Sequence, residues 1–506
     1  MRRIQEGIKE YMYTTLSKRY ITYMENNEVY DKPSKGAHVL ALTYPLQGHI
    51  NPILQFSKRL ASKGLKVTII TTTSFTPTST DQLPSNQTSS SSDSNFRSSA
   101  NSLDFLCIFD GFIGKHDPND NPDLYFNTLK DSTTKSMESL LEHYNQNNIN
   151  IHPKPKVVIY DAFLPWILHV VKKCGFEGAP FFTQSCVVNS IYYHSYNGAL
   201  KTPKYGSDLV SLPSIGSLLR VDDLPSFVAY PRLYPAALVK LLLDQFCNLK
   251  EAKCLFVNTM DMLEIQVVDW LTSQWPVKTI GPCIPSMYLD KRLPNDKDYG
   301  LSLFHPQTDA CIQWLNARDV GTVVYISMGS LASLGSEQMQ EIAKGLENCD
   351  KFFLWVVRAS EEDKLPLNFK EKTLNRGLIV NWCPQLEVLA HRALGCFVTH
   401  CGWNSTLEAI SLGVPMVAFP QWTDQPTNAK CIVDFWKIGV RVKVDEKGFL
   451  TADEIEFCIR EVMEGERAKE IKSNATKWKQ LTIEAMEEGG SSDRNIEEFV
   501  TKLLSS

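Results

Sequence analysis

From residue 38 an apolar run, His38-Val39-Leu40-Ala41-Leu42, stops at Pro45 and Gly48, and apolar residues then recur at Ile53, Phe56, Leu60 and Ala61 with helical spacing. The pattern predicts a strand, a loop and a helix. Asn51 suits the N-cap, Pro52 the first helical turn and Gly64 the left-handed residue that ends the helix. A second short run predicts a strand over 67–71, with others over 103–109, 157–160 and 254–258 separated by helical stretches. A later series repeats the pattern at 322–327, 352–357, 378–380, 397–399 and 416–418. Strand and helix alternating in this way predict an α/β fold with two doubly wound parallel sheets in domains that face one another.

Between the two series, 275–306 carries Pro276, Pro282, Pro285, Pro294 and Pro306 among clustered charges, the composition of a connection. The expected division is an extension over 1–36 without stable structure, a first domain over 37–274, the connection over 275–306 and a second domain over 307–506. The last helix of the second domain has the option of packing back on the first. Residues 76–102 are mostly Ser, Thr, Asn and Gln; with so little to bury they are expected to form a mobile loop.

Composition narrows the partners. The 506 residues are 43% hydrophobic and 22% charged, and 52 Lys and Arg against 57 Asp and Glu leave a formal charge of -5. Neither a basic stripe for a phosphate backbone nor an apolar run of membrane-spanning length is present, so nucleic acid and a membrane span are not expected. The N-terminus, Met1-Arg2-Arg3, is followed by mixed polar and aromatic residues rather than the apolar core of a signal peptide. Thirteen cysteines without a C-x-x-C pair suit reduced thiols, so a cytoplasmic location is expected and the three glycosylation sequons are chance matches.

In open parallel sheets ligands sit beyond the carboxyl ends of the strands, which singles out His49 and Asp161. A histidine held by a carboxylate can act as a general base. Equally, the two could be a loop histidine and a capping aspartate. A denser signal runs from Trp382 to Gln425: W-C-P-Q, then T-H-C-G-W-N-S-T-L-E, then P-Q-W-T-D-Q. Here His400-Cys401-Gly402 follows a strand, and Asn404-Ser405 opens a helix whose N-terminus suits an anion such as diphosphate. Ser405-x-x-Glu408 also fits an ordinary capping box, while Glu408 could instead accept from ribose hydroxyls. Trp382 offers a face for a pyrimidine ring, and Asp424 and Gln425 could bind sugar hydroxyls or simply cap a turn.

These 44 residues resemble the signature box of plant secondary-product UDP-glycosyltransferases, with matching spacing throughout. The resemblance extends from about His38 to the C-terminus, and the 1–36 extension exceeds what members usually carry. It implies the glycosyltransferase B fold, two facing Rossmann-like domains, the first binding the acceptor and the second the UDP-sugar. It further implies that Trp382 stacks on uracil, Gln385 lies beside ribose and uracil, Glu408 binds the ribose hydroxyls, and His400, Gly402, Asn404, Ser405 and Ser330 surround the diphosphate. Trp403, Asp424, Gln425 and, from the first domain, Thr183 would address the transferred sugar, and the closing Gln favours glucose. By the same resemblance His49 deprotonates the acceptor with Asp161 behind it.

The implied reaction is inverting transfer of glucose from UDP-glucose to a hydroxyl or carboxyl group of a small hydrophobic metabolite, a phenolic, terpenoid or organic acid. UDP-glucose is a co-substrate; no cofactor and no metal are expected, and the protein is expected to act as a monomer. The motif Tyr160-Asp161-Ala162-Phe163-Leu164-Pro165-Trp166 resembles the subgroup acting on such acceptors, and Phe112, Phe181 and Ser185 are expected to line the acceptor pocket. Asp296-Lys297-Asp298, in the connection, is read as solvated charge rather than a metal-binding Asp-x-Asp. No G-x-S-x-G occurs, and no G-x-G-x-x-G follows the first strand. The alternatives that remain are a sugar-nucleotide-binding protein without useful catalysis and the same fold using another UDP-sugar.

Overall fold

The computed structural model describes residues 36–74, 103–112, 120–146, 153–200, 209–301, 306–446 and 448–505. The expectations for the extension before residue 36 and for the polar tract at 76–102 fall outside the described residues.

The first sheet has seven parallel strands in the order Leu103–Ile108, Lys66–Thr72, His38–Leu42, Pro155–Asp161, Glu177–Phe182, Leu255–Val257 and Val277–Thr279. The second has six, again parallel: Gly377–Val380, Phe352–Val356, Val323–Ser327, Leu394–Thr399, Met416–Ala418 and Gly439–Arg441. Helices cover both faces of such sheets, so their strands are continuously apolar rather than alternating. In the first strand Val39, Leu40, Ala41 and Leu42 are all 1% exposed or less.

In each sheet the strand order reverses at the centre. The reversal falls between His38–Leu42 and Pro155–Asp161 in one sheet and between Val323–Ser327 and Leu394–Thr399 in the other. Crossovers on either side of a reversal leave on opposite faces, which opens a crevice at the carboxyl ends. His49 follows one strand of the first pair and Asp161 ends the other; Ser330 and His400 follow the second pair.

Three sequence expectations need correction. The first helix spans Gln47–Ser62, so His49 lies in its first turn, not in a loop, and Pro52 is inside the helix. Asn51 is not the N-cap; that position is Leu46, and the Asn51 side chain instead accepts from Gln47 Nε2. Gly64 does take the left-handed conformation, φ 90°.

Secondly, strand Val277–Thr279 belongs to the first sheet, so that domain reaches past residue 274 into the stretch read as a connection. Thirdly, Asp296 is not solvated charge. It is 8% exposed, accepts from the Ser286 N–H at 2.7 Å and pairs with Lys58 at 2.7 Å, contacts that offset the loss of water.

Beside it, Arg59 grips Asp290 through two hydrogen bonds of 2.6 Å. Burial would raise the Asp290 pKa, but the Arg59 guanidinium with Ser286 and Arg292 holds it well below the ordinary carboxylate range. The last helix, Ser491–Ser505, packs Ile496, Phe499, Val500 and Leu503 into the first domain's core, where Phe499 meets Phe256 edge-on at 4.8 Å. The two domains are thereby joined by the connection and by the chain's end.

Candidate active site

A cleft of about 850 Å³ lies between the carboxyl ends of the two sheets and is lined from both domains. On the first domain's side, His49 Nδ1 lies 2.8 Å from Asp161 Oδ2, the histidine side chain 13% exposed and the aspartate 0%. The other Asp161 oxygen accepts from the Phe163 N–H at 2.9 Å, which fixes the carboxylate's orientation. Phe163 meets the His49 ring edge-on at 4.7 Å, and Tyr44 lies 5.3 Å from it. Thr183 Oγ1 is 3.4 Å from the same Nδ1. Helix start and strand end thus meet as the topology requires.

Across the cleft, helix Trp403–Leu412 has Gly402 as its N-cap, without a side-chain cap bond, and Cys401 before it at φ 66°. Ser405 is therefore the third helical residue, which removes the capping-box alternative for Ser405 and Glu408. Ser405 Oγ instead accepts from Gln385 Nε2 at 3.0 Å. Both Glu408 oxygens are engaged: Gln385 Nε2 donates to one at 2.6 Å and the Tyr299 hydroxyl to the other at 2.7 Å. Tyr325 completes the chain by donating to Gln385 Oε1 at 2.9 Å. Burial raises the Glu408 pKa while these donors lower it.

Tyr299 and Tyr325 were not read from the sequence. Tyr325 sits in an apolar strand whose pattern signals core, and Tyr299 lies in the connection, where no periodicity marks a direction.

His400 is packed between two glycines. A Cβ on Gly329 or Gly402 would fall 2.7 or 2.5 Å from its ring, so both positions exclude larger residues. Burial pushes the His400 pKa down to about 4, with a backbone hydrogen bond to Ser327 opposing, so the ring is neutral near pH 7. Ser330, Trp382 and Gln385 also border the cleft.

At the cleft's far end Asp424 accepts from Thr423 Oγ1 at 2.5 Å and Asn428 Nδ2 at 2.7 Å, and Gln425 Oε1 accepts from the Gln421 and Trp422 N–H groups at 2.9 and 3.1 Å. Thr423 holds φ 57°, uncommon for a β-branched residue. Ser226 of the other domain fixes it by exchanging two hydrogen bonds of 2.8 Å with its backbone. The Trp403 indole N–H is committed to the Asn258 carbonyl at 2.7 Å, which leaves this residue's main chain and ring edge for a ligand. Likewise Asn404 Nδ2 spans the cleft to the Gly48 carbonyl at 2.8 Å.

The three residues expected in the acceptor pocket do not line the cleft. Phe181 is 0% exposed and packs in the core 5.7 Å from Phe56. Ser185 is a helix N-cap, accepting from the Val188 N–H at 3.2 Å. Phe112 stacks behind Tyr125 at 4.8 Å. Position in a strand buried on both faces and a Ser before a helical pattern were the signals for the first two. The apolar wall is instead Tyr44, Tyr125, Phe163, Phe227, Tyr234 and Leu238.

Among the described residues, no three His, Cys, Asp or Glu side chains gather as metal ligands, and no helix is long and apolar enough to cross a membrane.

Facing parallel sheets whose reversals open on one shared cleft, with a helix N-terminus opposite a histidine–carboxylate pair, are the architecture of the glycosyltransferase B class, to which the protein's structural relatives also belong. The family described as "UDP-glucoronosyl and UDP-glucosyl transferase" matches residues 202–481, and the chain belongs to it. It is 48% identical to Mogroside I-E synthase of Siraitia grosvenorii over 92% of this chain and 98% of that relative. The structure of Os79 from O. sativa in complex with UDP superposes with a TM-score of 0.81 at 39% identity, over 92% of this chain and 100% of that one. Phytolacca americana UGT2, complexed with UDP-2fluoro-glucose and pterostilbene, gives 0.76 at 26% identity over 92% and 100%. The protein is a UDP-glycosyltransferase of plant secondary metabolism that glycosylates small metabolites.

Proposed function

We propose that the chain transfers glucose from UDP-glucose, with inversion, to a hydroxyl or carboxyl group of a small hydrophobic phenolic, terpenoid or organic acid. The observation that carries this reading is the 2.8 Å contact between His49 Nδ1 and buried Asp161 at the cleft. Asp161 holds the imidazole with Nδ1 as donor, so Nε2 takes the acceptor's proton and Asp161 stabilises the imidazolium that forms. The activated oxygen attacks the anomeric carbon from the face opposite UDP; the carbon–oxygen bond to the diphosphate breaks and UDP leaves with the electron pair.

On the donor side the uracil stacks on Trp382, and Gln385 and Glu408 hold the ribose. His400, Ser405, Ser330 and the free N–H groups at the start of helix Trp403–Leu412 hold the diphosphate. Asp424, Gln425, Trp403 and Thr183 surround the hexose. Fixed dipoles in this arrangement stabilise the departing diphosphate without a metal ion. The apolar wall around Tyr125, Phe163 and Tyr234 takes the acceptor.

The test is turnover of UDP-glucose with phenols, carboxylic acids and terpenoids in the presence of EDTA, alongside other UDP-sugars. Glucoside formation is expected. UDP binding without product across the panel would favour a binding protein, a strict metal requirement would contradict the mechanism, and preference for another UDP-sugar would correct the donor.

A further inference from the structure

In an α-helix, residue 52 would donate its N–H to the carbonyl of residue 48. Position 52 of helix Gln47–Ser62 is Pro52, which has no N–H, so the Gly48 carbonyl loses its helical donor although the helix continues for ten residues beyond. The replacement donor comes from the other domain, 356 positions along the chain: Asn404 Nδ2, at 2.8 Å. Both ends of this contact are at the chemistry. Gly48 immediately precedes His49, and Asn404 is the second residue of the helix whose N-terminus faces the diphosphate site.

We propose that Pro52, Gly48 and Asn404 form a strut between the domains, and that Asn404 is a positioning residue which sets the place of His49 relative to the donor sugar. Pro52 acts by keeping the Gly48 carbonyl open for the other domain. An ordinary residue there would bring an in-helix donor to compete for that carbonyl, and Asn404, left to its second lone pair, would hold it in poorer geometry and link the domains more weakly. A primary amide carries two N–H groups, so holding Gly48 does not remove Asn404 from the diphosphate. The strut deepens the reading of His49 as base and rests on it.

The experiment is a double-mutant cycle in the full-length protein. Pro52→Ala restores the in-helix donor to the Gly48 carbonyl, so the melting temperature is expected to stay level or rise. At the same time kcat is expected to fall about tenfold, with KM for UDP-glucose within about twofold, because misplacement of reacting groups costs rate rather than donor affinity. Opposite signs for stability and turnover are not expected of a merely structural proline. In an Asn404→Ala background the same Pro52→Ala change is expected to cost no further kcat, since the strut is already absent. Wild-type kcat in Pro52→Ala, or its full effect persisting in Asn404→Ala, overturns the proposal. Asn404→Asp keeps the shape but removes the donor and guards against a misfolded proline variant: unchanged kcat there overturns it too. His49→Ala run in parallel separates the two readings, because full activity on alcohols in that variant removes the base while the cycle still reports on the strut.

Discussion

On the wall of the cleft proposed to take the donor, the polar groups are tied to one another: Glu408 to Gln385 and Tyr299, Asp424 to Asn428, Gln425 to the backbone at 421 and 422. The wall proposed to take the acceptor is made of rings, Tyr44, Tyr125, Phe163, Phe227 and Tyr234, brought from separate stretches of the first domain. The difference is the one the proposed ligands would require. A nucleoside diphosphate has fixed charges and hydrogen-bonding groups, so it demands particular residues at particular places, and most of them fit in one short stretch of chain. An apolar acceptor asks mainly for surface of suitable shape, which many sequences supply. His49 and Asp161 are the exception on the acceptor wall, a polar device as sharply placed as anything opposite.

The contrast can be broken most severely at that exception. In His49→Ala, glucosylation of alcohols and phenols is expected to fall by about 10² to 10⁴, the usual contribution of a general base. A carboxylic acid titrates near about 4, is already ionised at pH 7, and is expected to keep appreciable transfer. Product measured for matched alcohol and acid acceptors checks this; equal loss on both means that His49 positions the acceptor rather than deprotonating it.

Next comes the clamp that holds the connection to the first domain. Arg59→Met leaves buried Asp290 with Arg292 and Ser286 as its remaining partners and is expected to cost about 2–3 kcal/mol of stability in denaturant titration. The pH sign follows from the depressed folded-state pKa of Asp290. Its stabilisation is fully present above the unfolded value of about 3.9 and is lost as pH falls through the lower folded value, so the wild type should lose this increment on acidification. An equally steep acid loss in Arg59→Met would show that the pair is not its source.

A smaller effect is expected from Tyr299→Phe, which removes one of the two donors to Glu408. KM for UDP-glucose should rise about tenfold, the scale of a hydrogen bond to a charged group, with kcat little changed. Gln385 and Tyr299 are the donors that hold the Glu408 pKa down against burial. Losing the phenol lets burial raise the carboxyl pKa further, so the acid limb of kcat/KM should move to higher pH. An unmoved KM and pH limb would mean that the donor wall does not act as a network.

The smallest change belongs to the acceptor wall. Leu238→Ala is expected to alter acceptor KM within about tenfold and to rank acceptors differently, while UDP affinity measured by calorimetry stays level. A large loss of UDP affinity would dissolve the distinction between the walls.

That the residues from Trp382 to Gln425 gather at one cleft is legible in the sequence because they are close along the chain and follow strand ends. Where the reading erred, the missing information was tertiary. The expected Asn51 cap failed because helix Gln47–Ser62 starts a turn earlier and tolerates Pro52 through a donor from the other domain. Phe181 and Ser185 sit beside Thr183 in the chain, yet one points into the core and the other caps a helix. Asp296 reads as surface charge until Lys58 and the Ser286 N–H are seen to enclose it.

By itself the chain's order of apolar runs determined the two parallel sheets, because strand, helix and strand can be joined without knots in few ways. Its short-range spacing placed a helix start directly after a strand at Thr399, with Gly402 before it. Only the tertiary structure decided what faces what: that Tyr299 reaches Glu408, that the last helix returns to the first domain and that Asn404 meets Gly48. Such contacts depend on how two separately folded bodies pack, and residues hundreds of positions apart leave no periodic trace of that packing in the order of the amino acids.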